Sequence, residues 1–158
     1  MRLSDQQGRY FDTFGFIKFP GLLANEIGVI TQEFEDLWAA HGAGHDGREH
    51  DRVRRSALWP FVDRSEYLST LLDDERIEGI AASILGDDFN YTGSDGNFYV
   101  GDTAWHSDGY IDRKYPSVKM AFYLDPVSHD TGRLRVIPGS HRVHDGFAED
   151  LEKVLASS

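Results

Sequence analysis

His106 and Asp108 are separated by a single serine. On an extended backbone side chains alternate, so residues two apart share a face. An imidazole and a carboxylate side by side can each donate to one divalent metal. A second histidine from elsewhere would complete a 2-His-1-carboxylate triad, which leaves open positions on Fe(II) for a substrate and O2. Alone, the pair is a weak signal, because His-x-Asp serves a surface ion pair equally well. The elements that carry it decide its meaning.

The chain has 158 residues, 40% of them apolar and 13% aromatic. That suffices for one domain with a core and is too little for two. Cysteine is absent, which excludes disulfides, zinc-thiolate sites and cysteine nucleophiles. The formal net charge of −11 disfavours nucleic-acid binding, which selects clustered Lys and Arg. The charge keeps the chain soluble, and an anionic substrate would need a local basic pocket. No apolar run reaches transmembrane length, and residues Met1 to Asp5 hold no signal-peptide core. The expectation is a cytoplasmic protein with no membrane partner.

Ser4 and Gln7 have capping-box spacing, so a short helix to about Thr13 is expected. Phe14 to Leu23 reads as a strand ended by Pro20-Gly21. Asn25 to Ala40 is amphipathic, with Ile27, Ile30, Phe34, Leu37 and Trp38 on its apolar face and Glu26, Glu33, Glu35 and Asp36 on the wet side. The stretch from His41 to Arg55 is polar, and its His41, His45 and His50 have no periodicity that would fix them as ligands. It reads as a surface loop, from which Arg52, Arg54 or Arg55 could reach a substrate. Ser56 to Phe61 is aromatic core or part of a substrate wall. Ser65 caps a helix through Leu72, and a further helix from Asp74 to Leu85 stops at Gly86.

From Phe89 the period changes to two. Residues 89–92, 97–100, 104–106, 117–124 and 133–137 read as strands between Gly and Pro punctuation. The layout is α+β: residues 1–88 mainly helical, 89–142 strands, 143–158 a terminal helix, all in one domain.

Trp105-His106-Ser107-Asp108, preceded by Asn97-Phe98 and followed by Gly132-Arg133-Leu134-Arg135-Val136-Ile137-Pro138-Gly139-Ser140-His141, resembles the phytanoyl-CoA dioxygenase family. The Trp-His-Ser-Asp form is similar to that of its ectoine hydroxylase branch. The resemblance covers essentially the whole chain. It implies a double-stranded β-helix, or jelly roll, with N-terminal packing helices. It also implies Fe(II) and 2-oxoglutarate as cofactors and hydroxylation of a small molecule by O2, with release of succinate and CO2. His106 and Asp108 map onto the first two iron ligands. The carboxylate at Asp108 points to hydroxylation, since related halogenases carry a small residue there. Asn97 matches an Asn that contacts 2-oxoglutarate, or it is a strand-end turn residue. Lys119, on one face with Ala121 and Tyr123, either helps bind a carboxylate or is an exposed strand lysine. His141 maps onto a structural position. Asp112 stands where ectoine hydroxylases carry a Trp, which speaks against ectoine itself.

Two family features have no match. No His follows His144 and no Arg follows Arg142, whereas the family carries a distal His ligand and a 2-oxoglutarate Arg in its later strands. Three expectations are open. The jelly roll continues in a further segment of the protein; the chain completes it through another subunit or has lost activity; or His141 or His144 acts as the third ligand. An incomplete jelly roll leaves a sheet edge that a homodimer or a C-terminal segment must cover. The competing function is a catalytically silent jelly-roll domain that binds a ligand or a partner.

Overall fold

The computed structural model describes residues 1–41, 53, 56–101, 103–106, 108, 115–142 and 147–156. The readings of His45, His50, Arg52, Arg54, Arg55, Asp112 and His144 lie outside them. The helices are α1 (Asp5–Phe14), α2 (Ile27–His41), α3 (Glu66–Ser69), α4 (Glu75–Leu85) and α5 (Phe147–Ala156), with strands β1 (Ser56–Leu58) and β2 (Gly96–Phe98). Turns of 3-10 helix fill Val62–Arg64, Thr70–Asp73 and Ser140–Arg142. Among the described residues no helix is long and apolar enough to cross a membrane.

The helices start and stop where side chains satisfy their free backbone groups. The Ser4 hydroxyl accepts from Gln7 N, and the Gln7 side chain accepts from Ser4 N, closing the capping box. α1 ends at Gly15, left-handed at φ 77°, a conformation that glycine adopts without strain. A Cβ there would also run into the His141 ring. Asp74 caps α4 by accepting from Arg76 N at 2.9 Å.

Leu23, Ile30, Leu68, Leu71 and Ile77 form the core, so α2, α3 and α4 share one apolar centre. The apolar face expected of α2 is the one that packs. Its acidic side is less wet than expected. Glu26 takes both ends of the Arg76 guanidinium, and Glu33 accepts from the Ser65 hydroxyl at 2.7 Å. Arg76 also donates to Leu22 O at 2.8 Å and to both oxygens of Asp74. One guanidinium therefore joins the turn before α2 to the start of α4, and its planar fork suits two carboxylates at once.

The expected strand at Phe14 to Leu23 does not form. α1 runs through Phe14, and residues 20–26 are turns. A strand is held by a ladder to a neighbour, whereas this segment is held by side chains. Tyr10 packs on Phe14 and Phe16 with ring centroids 4.7 and 5.8 Å apart. Of the later strands, 97–100 forms over Asn97 and Phe98 alone, within β2, which pairs antiparallel with β1 in the register Ser56↔Phe98, Ala57↔Asn97 and Leu58↔Gly96. β1 was not foreseen as a strand. Residues 89–92, 104–106, 117–124 and 133–137 carry no ladder. The period of two persists only in part in 117–124, because Phe122, due on the inward face, is exposed. Val118, Met120 and Leu124 are half-buried, Met120 and Leu124 packing on the helical core, while Lys119, Ala121 and Tyr123 are exposed. Among the described residues the one ladder is two-stranded, which neither makes nor rules out a jelly roll.

Hydrogen bonding to Arg76 lowers the Asp74 carboxyl from 3.8 to about 2. A carboxylate depressed in the folded state stabilises fully above its unfolded value, and that contribution is lost as pH falls through the folded one. Asp74→Asn keeps a good cap and removes the charge. Denaturation at several pH values should therefore show the variant less stable than wild type above about pH 4, with the difference closing as pH falls through about 2.

Candidate metal centre

Three segments converge on one side of the helical core, and β2 sets the first. The Ser94 hydroxyl accepts from Phe61 N at 3.1 Å and Val62 N at 3.0 Å, pinning the approach to the strand. Gly96 lies against the Phe34 ring, where a Cβ would clash. That ring is itself held by Trp38 and Phe61 at centroid distances of 5.7 and 5.6 Å. Asp95 and Asn97 flank this fixed point, and the Asn97 amide donates to Asp95 Oδ2 at 2.6 Å.

The second segment brings His106 and Asp108. A carbonyl oxygen can only accept, so the 2.8 Å contact of His106 Nδ1 with Ala104 O places the ring proton on Nδ1. Nε2 is then the nitrogen turned to Asp108, the orientation that a metal-binding histidine usually has. Nε2 lies 3.4 Å from Asp108 Oδ1. That exceeds an ordinary hydrogen bond and is close to the roughly 3 Å that separates two adjacent ligands about 2.1 Å from a shared metal. Both side chains are more than half exposed. The Arg135 guanidinium stands 5.1 Å from the centroid of the Trp105 ring beside them, a cation–π contact.

The third segment brings Lys119. Its ammonium lies 3.2 Å from Asp95 Oδ1 and 3.8 Å from Asp108 Oδ2. Partial burial opposes the charge on Lys119, but the hydrogen bond to Asp95 and the charges of Asp108 and Asp95 outweigh it and hold the amine above its ordinary value. The four residues singled out in the sequence, His106, Asp108, Asn97 and Lys119, thus meet in one cluster. Asp95 is the member that sequence reasoning missed. Its signal was present, since Asp95 and Asn97 are two apart on an extended run.

The donor set that suits a divalent cation is an oriented imidazole and a carboxylate oxygen facing it. It supplies two ligands. Among the described residues no group of three or more His, Cys, Asp or Glu side chains is placed to hold a metal. A groove of about 700 Å³ between α2 and α3, lined by Glu33, Leu37, Arg64 and Tyr67, includes none of these residues.

His141 lies elsewhere. Its Nε2 donates to Asp12 O at 3.1 Å, Arg142 donates to the same carbonyl, and Gly139 N donates to Phe14 O at 2.9 Å. The Pro-Gly-Ser-His turn therefore caps the end of α1, where free carbonyls and the helix dipole favour donors and cations. His41 accepts from Arg64 at 3.2 Å. In the aromatic stretch the two roles separate, Phe61 packing on the core and Trp59 lying exposed.

Residues 11–153 match the phytanoyl-CoA dioxygenase family. The ectoine dioxygenase of Stutzerimonas stutzeri (strain A1501) is 29% identical over 146 residues, covering 84% of this chain and 48% of that protein. The chain spans about half the length of this curated relative. No solved structure matches it.

Loss of the His141 ring removes one hydrogen bond and its packing on Gly15. His141→Ala should lower unfolding free energy by about 1 kcal/mol and leave divalent-metal affinity, measured by calorimetry, unchanged. A loss of affinity as large as that of His106→Ala would instead place His141 among the ligands.

Proposed function

The chain belongs to the phytanoyl-CoA dioxygenase family, and on that premise we propose that it works, alone or within a longer gene product, as an Fe(II)- and 2-oxoglutarate-dependent dioxygenase that hydroxylates a small molecule. The observation that carries this reading is the His106 Nε2 to Asp108 Oδ1 pair at 3.4 Å, with Nδ1 turned to Ala104 O. Iron held there, with 2-oxoglutarate as co-reductant, supplies the oxidation: O2 is consumed, 2-oxoglutarate becomes succinate and CO2, and a substrate C–H becomes C–OH.

The chain's own residues bind and orient. His106 offers Nε2 because Ala104 O holds the proton on the other nitrogen. Asp108 offers Oδ1, while its Oδ2 faces Lys119. Asn97 and Lys119 stand on the 2-oxoglutarate side. Lys119, held by Asp95, would offer its ammonium to a carboxylate of 2-oxoglutarate. The third protein ligand and the partner of the far carboxylate come from residues beyond those described, in this chain, a further segment or a second copy. In this reading residues 89–142 are strands of a jelly roll packed on the helices of 1–88. The packing of Met120 and Leu124 on the helical core supports it. Exposed Tyr99, Leu134 and Val136 are side chains that a covering segment or second copy would bury.

The substrate is a small molecule. At 29% identity the ectoine of the relative's name does not carry over, and Asp112 stands where ectoine hydroxylases have Trp. A second reading, a ligand-binding domain without turnover, draws on the two-ligand set alone.

Succinate formation from 2-oxoglutarate with Fe(II) and O2 decides between them, assayed for this chain and for any longer product of its gene. Dioxygenase function predicts turnover that falls at least about 100-fold in His106→Ala and Asp108→Ala, by analogy with removing a catalytic group. No turnover in the longest product, with metal binding weaker than about micromolar, an affinity of only about 8 kcal/mol, would sink it.

A further inference from the structure

Lys119 stands between two carboxylates of unequal strength. Asp95 lies 3.2 and 3.5 Å from the ammonium through its two oxygens, while Asp108 is 3.8 Å away. The Asp95 side chain is 14% exposed and that of Asp108 60%, so water screens the Asp108 attraction more. We infer that Asp95 is a positioning residue that keeps the Lys119 ammonium off the metal-binding carboxylate of Asp108.

The inference rests on the metal reading of His106 and Asp108. A lysine ammonium in contact with Asp108 would compete with a dication for the same oxygens and repel it. Asp95 prevents this by being both charged and fixed. The Asn97 amide holds its Oδ2 at 2.6 Å. Its neighbour Ser94 accepts two backbone N–H groups, and its neighbour Gly96 abuts the Phe34 ring. Asp95 therefore cannot follow the lysine. On the other side, Met120 is packed on the helical core, so the mobile part of Lys119 is its flexible stem and terminal ammonium. Without the Asp95 charge, Asp108 becomes the stronger of the two named partners, and the ammonium moves toward it.

The test is calorimetric titration with Co(II) alone, without 2-oxoglutarate, at low ionic strength, on wild type, D95N, K119M, the D95N/K119M double variant, D95E and H106A. D95N should weaken Co(II) about five- to tenfold, as an exposed ion pair or an outer partner of a metal ligand does. K119M should bind at least as well as wild type, and the double variant should return to the K119M value. A structural fault at β2 would not be repaired by removing a lysine. The D95N defect should also shrink in high salt. D95E keeps the charge and should stay within about twofold of wild type, which keeps the test open should D95N fail to fold by circular dichroism. Wild-type affinity in D95N, a double variant as weak as D95N, or a fivefold loss in D95E overturns the inference while the metal site stands. Equal binding by wild type and H106A overturns the metal site and the inference with it.

Discussion

A carboxylate that folding has largely withdrawn from water must be paired or hydrogen-bonded, because desolvating an unpaired charge is among the most expensive events in folding. Asp95 is in this position. It sits at the start of β2 between two anchored neighbours, and its partners have to come to it. Asn97 comes from the same strand face, and Lys119 comes from the extended run of 115–124. Satisfying this one charge draws that run against β2, and the same ammonium then faces Asp108. Asp95 thereby links Asn97 directly, and Asp108 through Lys119, in one network of charge and hydrogen bonds.

The helical half supplies the rigidity on which this depends. Arg76 ties the turn before α2 to the cap of α4, and the Leu23, Ile30, Leu68, Leu71 and Ile77 core locks α2, α3 and α4 together. α2 then presents Phe34 to Gly96, so a core helix fixes the height of the strand carrying Asp95 and Asn97. A separate clasp, His141 and Arg142 on Asp12 O, fastens the Pro-Gly-Ser-His turn to α1. The histidine of that motif therefore acts in holding the chain, and the histidine of Trp-His-Ser-Asp turns Nε2 to Asp108 and Nδ1 to Ala104 O.

The helices were legible in the sequence because their signals are local: Ser4 with Gln7, Ser65 as a cap, Gly86 as a stop, and the 3.6 period of α2 and α4. Strands were less so. A ladder depends on a partner far away in the chain, and alternation alone shows the face of a segment without showing its neighbour. Residues 117–124 kept the expected face only in part, with Met120 and Leu124 on the core, Lys119 outward and Phe122 exposed, and they carry no ladder. Phe14 to Leu23 had strand composition, but α1 continued into it and aromatic packing on Tyr10 took the place of pairing. The residue types of the site were legible, and so was the role of His141. The Asp95 role was not, because its meaning lies in burial and in a lysine 24 positions away.

The most direct test of this account is the position of a bound metal. Crystals of the protein loaded anaerobically with Fe(II), measured at the iron absorption edge, should show an anomalous peak about 2.0–2.2 Å from both His106 Nε2 and Asp108 Oδ1, with Lys119 still paired to Asp95. A peak at other side chains, or His106 turned so that Nδ1 no longer meets Ala104 O and no peak beside it, would contradict the account.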